Sequence, residues 1–400
     1  MIDEARTIID RSKELLPDLV DLRRAIHLEP EIGLNLPSTQ AKIVEALSDL
    51  DLEITLGEST TSVTADLVGD PEGPTVLLRG DMDALPMPED TGLDFASTNE
   101  GAMHACGHDS HVAMLVGAAR LLAAERGSLP GRVRFMFQPG EEGFGGAEYM
   151  IREGVLEGVD SAFALHITPN APSGWLTVKS GPMMASADTF HAVFRGKGGH
   201  ASMPHFAVDP IPGACEFVSA LHSLVTRRVD VFDPAVVTVA HIESGTTTNV
   251  IPETALVEGT FRTVSEATRA SVARGIERLL TGISAAHECE GELEIRYGYP
   301  VTVNDPSATQ LMAEAAAEII GEDHVVWMPA PVMGAEDFSY VLQRVPGAMA
   351  FLGVCPPEIT DPNQAPACHS NKMLLDEAAM ATGVAVHANV ARTWLHRHVS

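Results

Sequence analysis

Buried strands alternate with helices over the first 180 residues of this 400-residue chain, and this alternation constrains its fold more than any other feature. Apolar residues recur at helical spacing in three segments, which are 1–28, 37–50 and 110–125. Between them lie apolar runs typical of buried strands, including 132–138 and 162–167. The β-α-β order predicts an α/β fold with a mixed, mostly parallel sheet flanked by helices. Reactive groups then collect beyond the carboxyl ends of the strands.

The pattern changes after residue 184. Alternating strands near 189–195, 236–242, 255–262 and 292–297 are separated by two helical segments. Their order, β-α-β-β-α-β, is that of a ferredoxin-like unit. We therefore predict a catalytic domain in two segments, residues 1–184 and 300–400, and an inserted α+β domain at 185–299.

Composition excludes some partners and indicates a compartment. The formal net charge of −29 disfavours nucleic acid and anionic membranes, because both would repel the chain. Five widely spread cysteines argue against a disulfide framework and for a reducing compartment. The first residues read as a polar amphipathic helix without a signal-peptide core, and no apolar run is long enough to cross a bilayer. A cytoplasmic location is the expectation.

Metal-type side chains follow several of the predicted strands. Cys106 and His108 stand in Met-His-Ala-Cys-Gly-His-Asp (103–109), and residues two apart in extended chain point the same way. Taken alone, Cys106-Gly107-His108 is more typical of a buried cysteine beside a loop histidine than of a metal site. Cys106 could also be the nucleophile of a cysteine protease, although that hypothesis leaves the acidic pair described next unexplained.

The pair Glu141-Glu142 follows a buried strand in Phe-Gln-Pro-Gly-Glu-Glu. Adjacent carboxylates repel one another unless a cation or a proton compensates. One of them can bind metal while the other takes a proton from a metal-activated water. Asp81 and Asp83 also follow a strand and share a face, and Asp83 is a candidate to orient a ligand histidine.

The possible protein ligands number five, which exceeds the usual three of a single catalytic zinc. They are Cys106, His108, Glu142, His166 and His369. Five donors fit two metals about 3.5–4 Å apart, a pair that can activate water and polarise a carbonyl. Mixed nitrogen, oxygen and sulfur donors permit zinc, manganese, cobalt or nickel.

Taken together, the motifs resemble those of the M20 metallopeptidases, and within them the amidohydrolase subfamily that includes N-acyl-amino-acid amidohydrolases, hippurate hydrolases and auxin-conjugate hydrolases. The resemblance covers nearly the whole chain. Its motifs are Arg-Gly-Asp-Met-Asp-Ala-Leu-Pro (79–86), Met-His-Ala-Cys-Gly-His-Asp-Ser-His (103–111), Phe-Gln-Pro-Gly-Glu-Glu-Gly (137–143), Gly-Lys-Gly-Gly-His-Ala-Ser-Met-Pro-His (196–205), Asn-Val-Ile-Pro (249–252), Gly-Thr-Phe-Arg (259–262) and Gly-Ala-Glu-Asp-Phe (334–338).

The resemblance implies roles for particular residues. The five candidate ligands would bind two metals, most commonly manganese in this family, with Glu141 as general base and Asp83 supporting a ligand. The inserted domain would be a lid that also forms a homodimer. His200 would reach the active site of the other subunit and stabilise the oxyanion. Asn249 and Arg262 would face the substrate carboxylate, with which a guanidinium can form a bidentate pair.

The chain departs from the family around His369. Members often have leucine before this histidine, whereas here Cys368 precedes it and places a second thiol near the proposed metals. Metal preference and sensitivity to oxidation therefore depend on this segment. His104, His111 and His205 are further histidines close to the motifs, and we interpret them as structural or as supports for the ligands.

The resulting hypothesis is hydrolysis of the amide bond of a small-molecule N-acyl amino acid by metal-activated water. Glu141 would take the proton from water and pass it to the leaving amine. A dipeptidase or a hydrolase of p-aminobenzoyl amides could use the same site. A metal-dependent binding protein on a hydrolase fold is the alternative that is not an enzyme.

Overall fold

The computed structural model describes residues 2–399, with side-chain detail from residue 8 onward. The helices are α1 (Ile2–Leu28), α2 (Pro37–Leu47), α3 (His108–Ala123), α4 (Gly146–Arg152), α5 (Pro210–Arg228), α6 (Glu266–Ala286), α7 (Pro306–Ile320), α8 (Ser339–Leu342) and α9 (Met380–His398). None of the helices in this described part of the chain has the length and apolarity to span a membrane.

Sixteen strands accompany these helices in the described residues. They are β1 (Glu53–Leu56), β2 (Val63–Val68), β3 (Thr75–Asp81), β4 (Arg132–Gln138), β5 (Ser161–Thr168), β6 (Leu176–Val178), β7 (Gly181–Met184), β8 (Asp188–Arg195), β9 (Gly199–His200), β10 (Ala235–Ser244), β11 (Val250–Ile251), β12 (Thr254–Thr263), β13 (Glu290–Tyr297), β14 (Thr302–Asn304), β15 (Val325–Trp327) and β16 (Gly347–Gly353).

The chain divides into two compact units. The first comprises the residues up to Gly181, Val303–Ala330 and the chain from Tyr340 onward. The second comprises Pro182–Thr302 and Pro331–Ser339.

An eight-stranded sheet forms the centre of the first unit, in the order β1-β2-β4-β3-β5-β16-β6-β15. The four central strands, β4, β3, β5 and β16, are mutually parallel, while the pairs β1-β2, β2-β4 and β16-β6 are antiparallel. Helices α3 and α9 pack against β3 and β5. A parallel sheet covered in this way buries its strands almost completely, which explains the continuous apolar runs in the sequence. The predicted α/β fold with a mixed sheet is confirmed.

Polar groups meet at one edge of this sheet because its central strands run in the same direction. β3 ends at Asp81, β4 ends at Gln138, and β5 contains His166 two residues before its end. The segments that follow β3 and β4 carry Asp83 and the Glu141-Glu142 pair. Helix α3 begins at His108, directly after Gly107 in the left-handed conformation. The fold therefore delivers candidate ligands from several distant segments to this edge.

The second unit has a four-stranded antiparallel sheet in the order β10-β12-β8-β13. Together with α5 and α6, which pack on it, these strands follow the predicted order β-α-β-β-α-β. The side chains of Asp209 and Ser265 cap α5 and α6 by accepting from backbone amides of the first turn. Burial alternates along β8, where Phe190 and Phe194 face the core with Phe217 of α5.

Candidate metal centre

The two candidate ligands at the start of α3 are separated by a residue that must be glycine. Gly107 has a φ of +81°, and a Cβ at this position would lie 2.7 Å from Ile167 Cδ1. A side chain would thus meet both backbone strain and a steric clash. Cys106 and His108 are both buried, and Cys106 Sγ lies 3.3 Å from His166 Nε2. The tight turn thus places Cys106, just before α3, beside the candidate ligand His166 of β5.

The carboxylate of Asp83 binds the backbone amides of the Glu141-Glu142 pair. Its carboxylate accepts a hydrogen bond from Glu141 N at 2.9 Å and one from Glu142 N at 3.1 Å. The same carboxylate lies 3.5 Å from His108 Nδ1. Asp83 is almost completely buried, and its two hydrogen bonds fix the main chain of the loop after β4 beside the start of α3.

The last candidate ligand arrives on a loop close to the C-terminal helix. His369 N donates to Ala105 O at 2.8 Å, and His369 has a positive φ of +69°, which is uncommon for a residue with a side chain. Its Nε2 lies 3.2 Å from Glu142 Oε1, and its side chain is 55% exposed. The loop therefore adds one half-exposed imidazole to a cluster of otherwise largely buried side chains.

The candidate ligands form one continuous cluster. Donor atoms of Cys106, His108 and His166 all lie within 4.8 Å of one another. The same holds for Cys106 with Glu142 and His369, and for His108 with Glu141 and Glu142. All five predicted ligands, the predicted base Glu141 and the predicted support Asp83 thus occur together in the first unit.

The cluster has the chemistry of a cation site. Both ring nitrogens of His108, as well as Glu142 Oε1, are buried and make no hydrogen bond among the described residues, although carboxylate oxygens lie 3.5–4.0 Å from the His108 ring. Burial opposes a charged His108, but the carboxylates of Asp81 and Asp83 outweigh it and raise the pKa of His108 to about 10. Buried carboxylates around this ring are stable only with a compensating positive charge, which metal ions would supply.

Asp81 and His111 also lie beside His108, but their atoms are already used. His111 Nδ1 donates to Asp81 Oδ1 at 2.5 Å, and His111 Nε2 accepts from Ile167 N at 2.9 Å. Burial, only partly offset by Asp81, lowers the pKa of His111 to about 4, so the ring is neutral. Arg79 Nη1 donates to Asp81 Oδ2 at 2.6 Å. These bonds indicate a support for the ligands rather than a third metal site.

This support was incompletely predicted from the sequence. From the sequence, His111 is interpreted as structural or as a support for the ligands, without a named partner, and Asp81 is paired only with Asp83. The signal in the sequence is the spacing of three residues between His108 and His111, since residues three apart on a helix lie on the same face. Arg79 gave no such signal, because a buried arginine is identified only by its partners.

A second buried network holds the start of α3 against α1. Arg23 Nε and His27 Nδ1 lie 2.7 and 2.8 Å from Asp109 Oδ2. His27 Nε2 lies 3.2 Å from Glu89 Oε1. Burial opposes the charge on His27, but Asp109 and Glu89 outweigh it and raise its pKa. Because Asp109 follows His108 directly, this network restrains the segment that carries two candidate ligands.

The remaining predicted site residues lie in the second unit. His200 belongs to β9 and is exposed, and its Nδ1 is 2.8 Å from Ser202 Oγ. Asn249 is exposed and accepts a hydrogen bond from Thr247 Oγ1 at 3.2 Å. Arg262 lies on β12 and donates to Met333 O at 2.9 Å. Their proposed roles in substrate binding stay predictions.

Comparisons with known proteins identify the family. The profile of peptidase family M20/M25/M40 matches residues 77–393. Thermostable carboxypeptidase 2 of Saccharolobus solfataricus is 38% identical over 387 residues, which cover 95% of this chain and 96% of the relative. N-acetyl-L-cysteine deacetylase of Bacillus subtilis is 41% identical over 335 residues, which cover 84% of this chain and 80% of the relative.

A solved structure agrees with the sequence matches. The crystal structure of a dinuclear metal binding peptidase from the M20 family of Bacillus subtilis has a TM-score of 0.84 and 34% identity, covering 97% of this chain and 100% of that one. The resemblance predicted from the motifs is thereby confirmed. The chain belongs to peptidase family M20/M25/M40, and it is a metal-dependent amidohydrolase.

Proposed function

We propose that this enzyme hydrolyses the amide bond of N-acyl amino acids, releasing a carboxylic acid and the free amino acid. The observation that carries the proposal is the position of Glu141. Its carboxylate lies within 4.8 Å of donor atoms of His108 and Glu142, while Asp83 fixes its backbone. A carboxylate beside a candidate cation site is the kind of group that can deprotonate a water molecule bound there. The 41% identity to the deacetylase of Bacillus subtilis supports the class of substrate.

We propose that the metals are two divalent cations, with manganese first and zinc, cobalt or nickel as alternatives. Their ligands would be Cys106, His108, Glu142, His166 and His369. When bound, the cations would lower the pKa of a water molecule and polarise the acyl carbonyl. His166 suits this role because its Nδ1 is 2.6 Å from Ile167 O, which directs Nε2 toward the cluster.

The protein residues would then carry the proton and hold the substrate. Glu141 accepts the proton of the attacking water and delivers it to the leaving amine nitrogen. His200 donates a hydrogen bond to the carbonyl oxygen as negative charge develops on it. Asn249 and Arg262 bind the carboxylate of the amino acid. In this proposal His200 acts in a homodimer, on the substrate of the other subunit.

The named relatives also favour a second substrate class. A carboxypeptidase shares 38% identity with nearly the whole chain, so peptides with a free carboxylate are the alternative to acyl amino acids. Both substrates present an amide next to a carboxylate, and the same residues could cleave either one.

The unpaired state of all five cysteines supports a reducing compartment, and we propose the cytoplasm.

A substrate panel with several metals tests these proposals. Metal-stripped enzyme would be reloaded with manganese, zinc, cobalt or nickel and assayed on acetyl, benzoyl, p-aminobenzoyl and dipeptide amides of the same amino acids. We expect the highest kcat/KM on acyl amino acids. Higher kcat/KM on dipeptides would favour the peptidase, and inactivity of every loaded form would favour a binding protein.

Glu141→Gln separates the base from the metal site. We expect this variant to retain the metal content of the wild type, measured by elemental analysis, and to lose at least about 100-fold in kcat. Near-native turnover would show that another group is the base. Glu142→Gln is the matched variant, and it should lose metal affinity as well as turnover.

A further inference from the structure

Two cysteine thiols lie against the same part of β5 at the edge of the candidate metal centre. Cys106 Sγ is 3.3 Å from His166 Nε2, Cys368 Sγ is 3.9 Å from Ile167 O, and neither cysteine belongs to a disulfide. Their backbones are tied together by the hydrogen bond from His369 N to Ala105 O at 2.8 Å. Because Ala105 and His369 are the chain neighbours of the two cysteines, this bond keeps the main chain of Cys106 close to that of Cys368.

The two thiols differ in exposure. Cys106 is buried, with 6% of its surface exposed, whereas Cys368 is only partly buried and precedes a histidine whose side chain is 55% exposed. A reagent in solution therefore reaches Cys368 first. The hydrogen bond of Cys368 Sγ to Ile167 O is long, at 3.9 Å. Such a thiol can rotate toward its neighbour with little loss.

We propose that Cys106 and Cys368 are an oxidation site at which a small-molecule disulfide, such as oxidised glutathione, is exchanged for a disulfide within the protein. The Cys368 thiolate attacks one sulfur of the reagent, and the sulfur–sulfur bond of the reagent breaks. A mixed disulfide forms, and one glutathione leaves as the first thiol. The Cys106 thiolate then attacks Cys368 Sγ and releases the second glutathione.

Electrons and protons balance in this exchange. The two protein thiols together lose two electrons and two protons. The disulfide reagent takes up these electrons and protons and becomes two glutathione thiols. The reverse reaction with excess glutathione restores the free cysteines.

The consequence for the enzyme rests on the proposed role of Cys106 as a metal ligand. A sulfur in a disulfide is no longer a thiolate and cannot bind a metal in the same way. Bound metal and the Cys106–Cys368 disulfide would therefore exclude each other. Metal protects the thiols, and oxidation of metal-free enzyme prevents metal from rebinding.

Thiol mapping of the full-length protein tests the site. Metal-free and manganese-loaded enzyme would be incubated with oxidised glutathione, alkylated and digested, and the linked peptides identified by mass spectrometry. In metal-free enzyme we expect one linked pair, Cys106 with Cys368. With free manganese at 100 times its Kd, the oxidation rate should fall about 100-fold, because only the metal-free fraction reacts.

Two variants make the outcome decisive. Cys368→Ser should abolish the linked peptide, while Cys355→Ser should preserve it, because Cys355 is buried and its Sγ donates to two carbonyl oxygens, Pro356 O at 3.7 Å and Ile359 O at 3.6 Å. Failure of metal-free wild type to form the Cys106–Cys368 link, or equal loss of thiols in Cys368→Ser, overturns the proposal. Linkage that manganese does not slow would keep the oxidation site but contradict the ligand role of Cys106.

Discussion

The carboxylate of Asp81 and the imidazole of His111 form a buried hydrogen bond of 2.5 Å between β3 and α3. The other ring nitrogen of His111 accepts from Ile167 N, the amide that follows the candidate ligand His166. The two bonds fix His111 as the tautomer protonated at Nδ1. Asp81 thus acts on the main chain of β5 through His111, directly beside the candidate ligand His166.

Replacing His111 should weaken metal binding without removing a ligand. His111→Ala leaves the Ile167 amide and the Asp81 carboxylate without their partner, so His166 is less well held. We expect the metal Kd to rise about 10–100-fold, as is typical when a group behind a ligand is lost. Competition with a chromophoric chelator measures this Kd directly.

His111→Gln is the matched variant, since its amide offers both a donor and an acceptor. It should recover part of the lost affinity. Equal metal Kd values for the wild type and His111→Ala would show that the hydrogen bonds of His111 serve folding alone.

Asp83 should matter for turnover more than for folding. Asp83→Asn replaces one of the oxygens that accept from the amides of Glu141 and Glu142 with a donor, which would oppose another donor. The glutamate loop then loses its fixed position, and we expect kcat to fall about 10–100-fold, because misplacement of a base by a fraction of an ångström is costly. Steady-state kinetics together with thermal unfolding separate the two effects.

Asp160→Asn is a control for Asp83→Asn. Asp160 also accepts a backbone hydrogen bond, from Thr75 N at 2.9 Å, but that contact is exposed and lies at the start of β3 rather than at its end. This control should retain nearly full kcat. A similar loss of kcat in both variants would argue against a specific role of Asp83.

The sequence predicted the sheet and the ligand cluster because both follow from local patterns. The apolar runs of β3, β4 and β5 indicate buried parallel strands, and parallel strands place their following residues at one edge. For His111 a structural role and a support of the ligands both stayed open, and Arg79 was not predicted as a support, because both roles depend on contacts with segments distant in sequence. No pattern around residue 167 indicates that its amide would meet the ring of His111.

The proximity of Cys106 and Cys368 illustrates the same limit. Cys106 is itself a candidate ligand and Cys368 precedes another, but the sequence could not show that the two segments meet. Their proximity depends on the hydrogen bond from His369 N to Ala105 O.

Gly107 should tolerate no side chain. Gly107→Ala would place Cβ 2.7 Å from Ile167 Cδ1 and force a φ of +81° on a residue that avoids it. We expect a loss of about 2–3 kcal/mol in the free energy of unfolding, together with weaker metal binding, since both neighbours are candidate ligands. Chemical denaturation and chelator competition measure the two effects.

Gly127→Ala is the control for this substitution. Gly127 has no other atom within 4 Å of an added Cβ and no positive φ. Its free energy of unfolding should change by no more than about 0.5 kcal/mol. If Gly107→Ala were equally harmless, the turn between the two ligands would have to be adaptable.

Glu89 should stabilise the fold only above acidic pH. Burial raises its pKa, but hydrogen bonds from His27, Thr91 and the amide of Ser97 outweigh this and lower the pKa to about 2. A carboxyl group with a depressed pKa contributes stability that is complete above its unfolded pKa of about 4.3 and is lost as the pH falls toward 2.

Glu89→Gln should therefore lower the free energy of unfolding at pH 7 by about 1 kcal/mol or more. The difference from the wild type should shrink between pH 5 and pH 2, as measured by urea unfolding of the metal-free proteins at each pH. Glu100→Gln, at an exposed position, is the control and should change the free energy of unfolding at pH 7 by no more than about 0.5 kcal/mol. A difference for Glu89→Gln that stays constant down to pH 2 would mean that the charge on Glu89 does not contribute to stability.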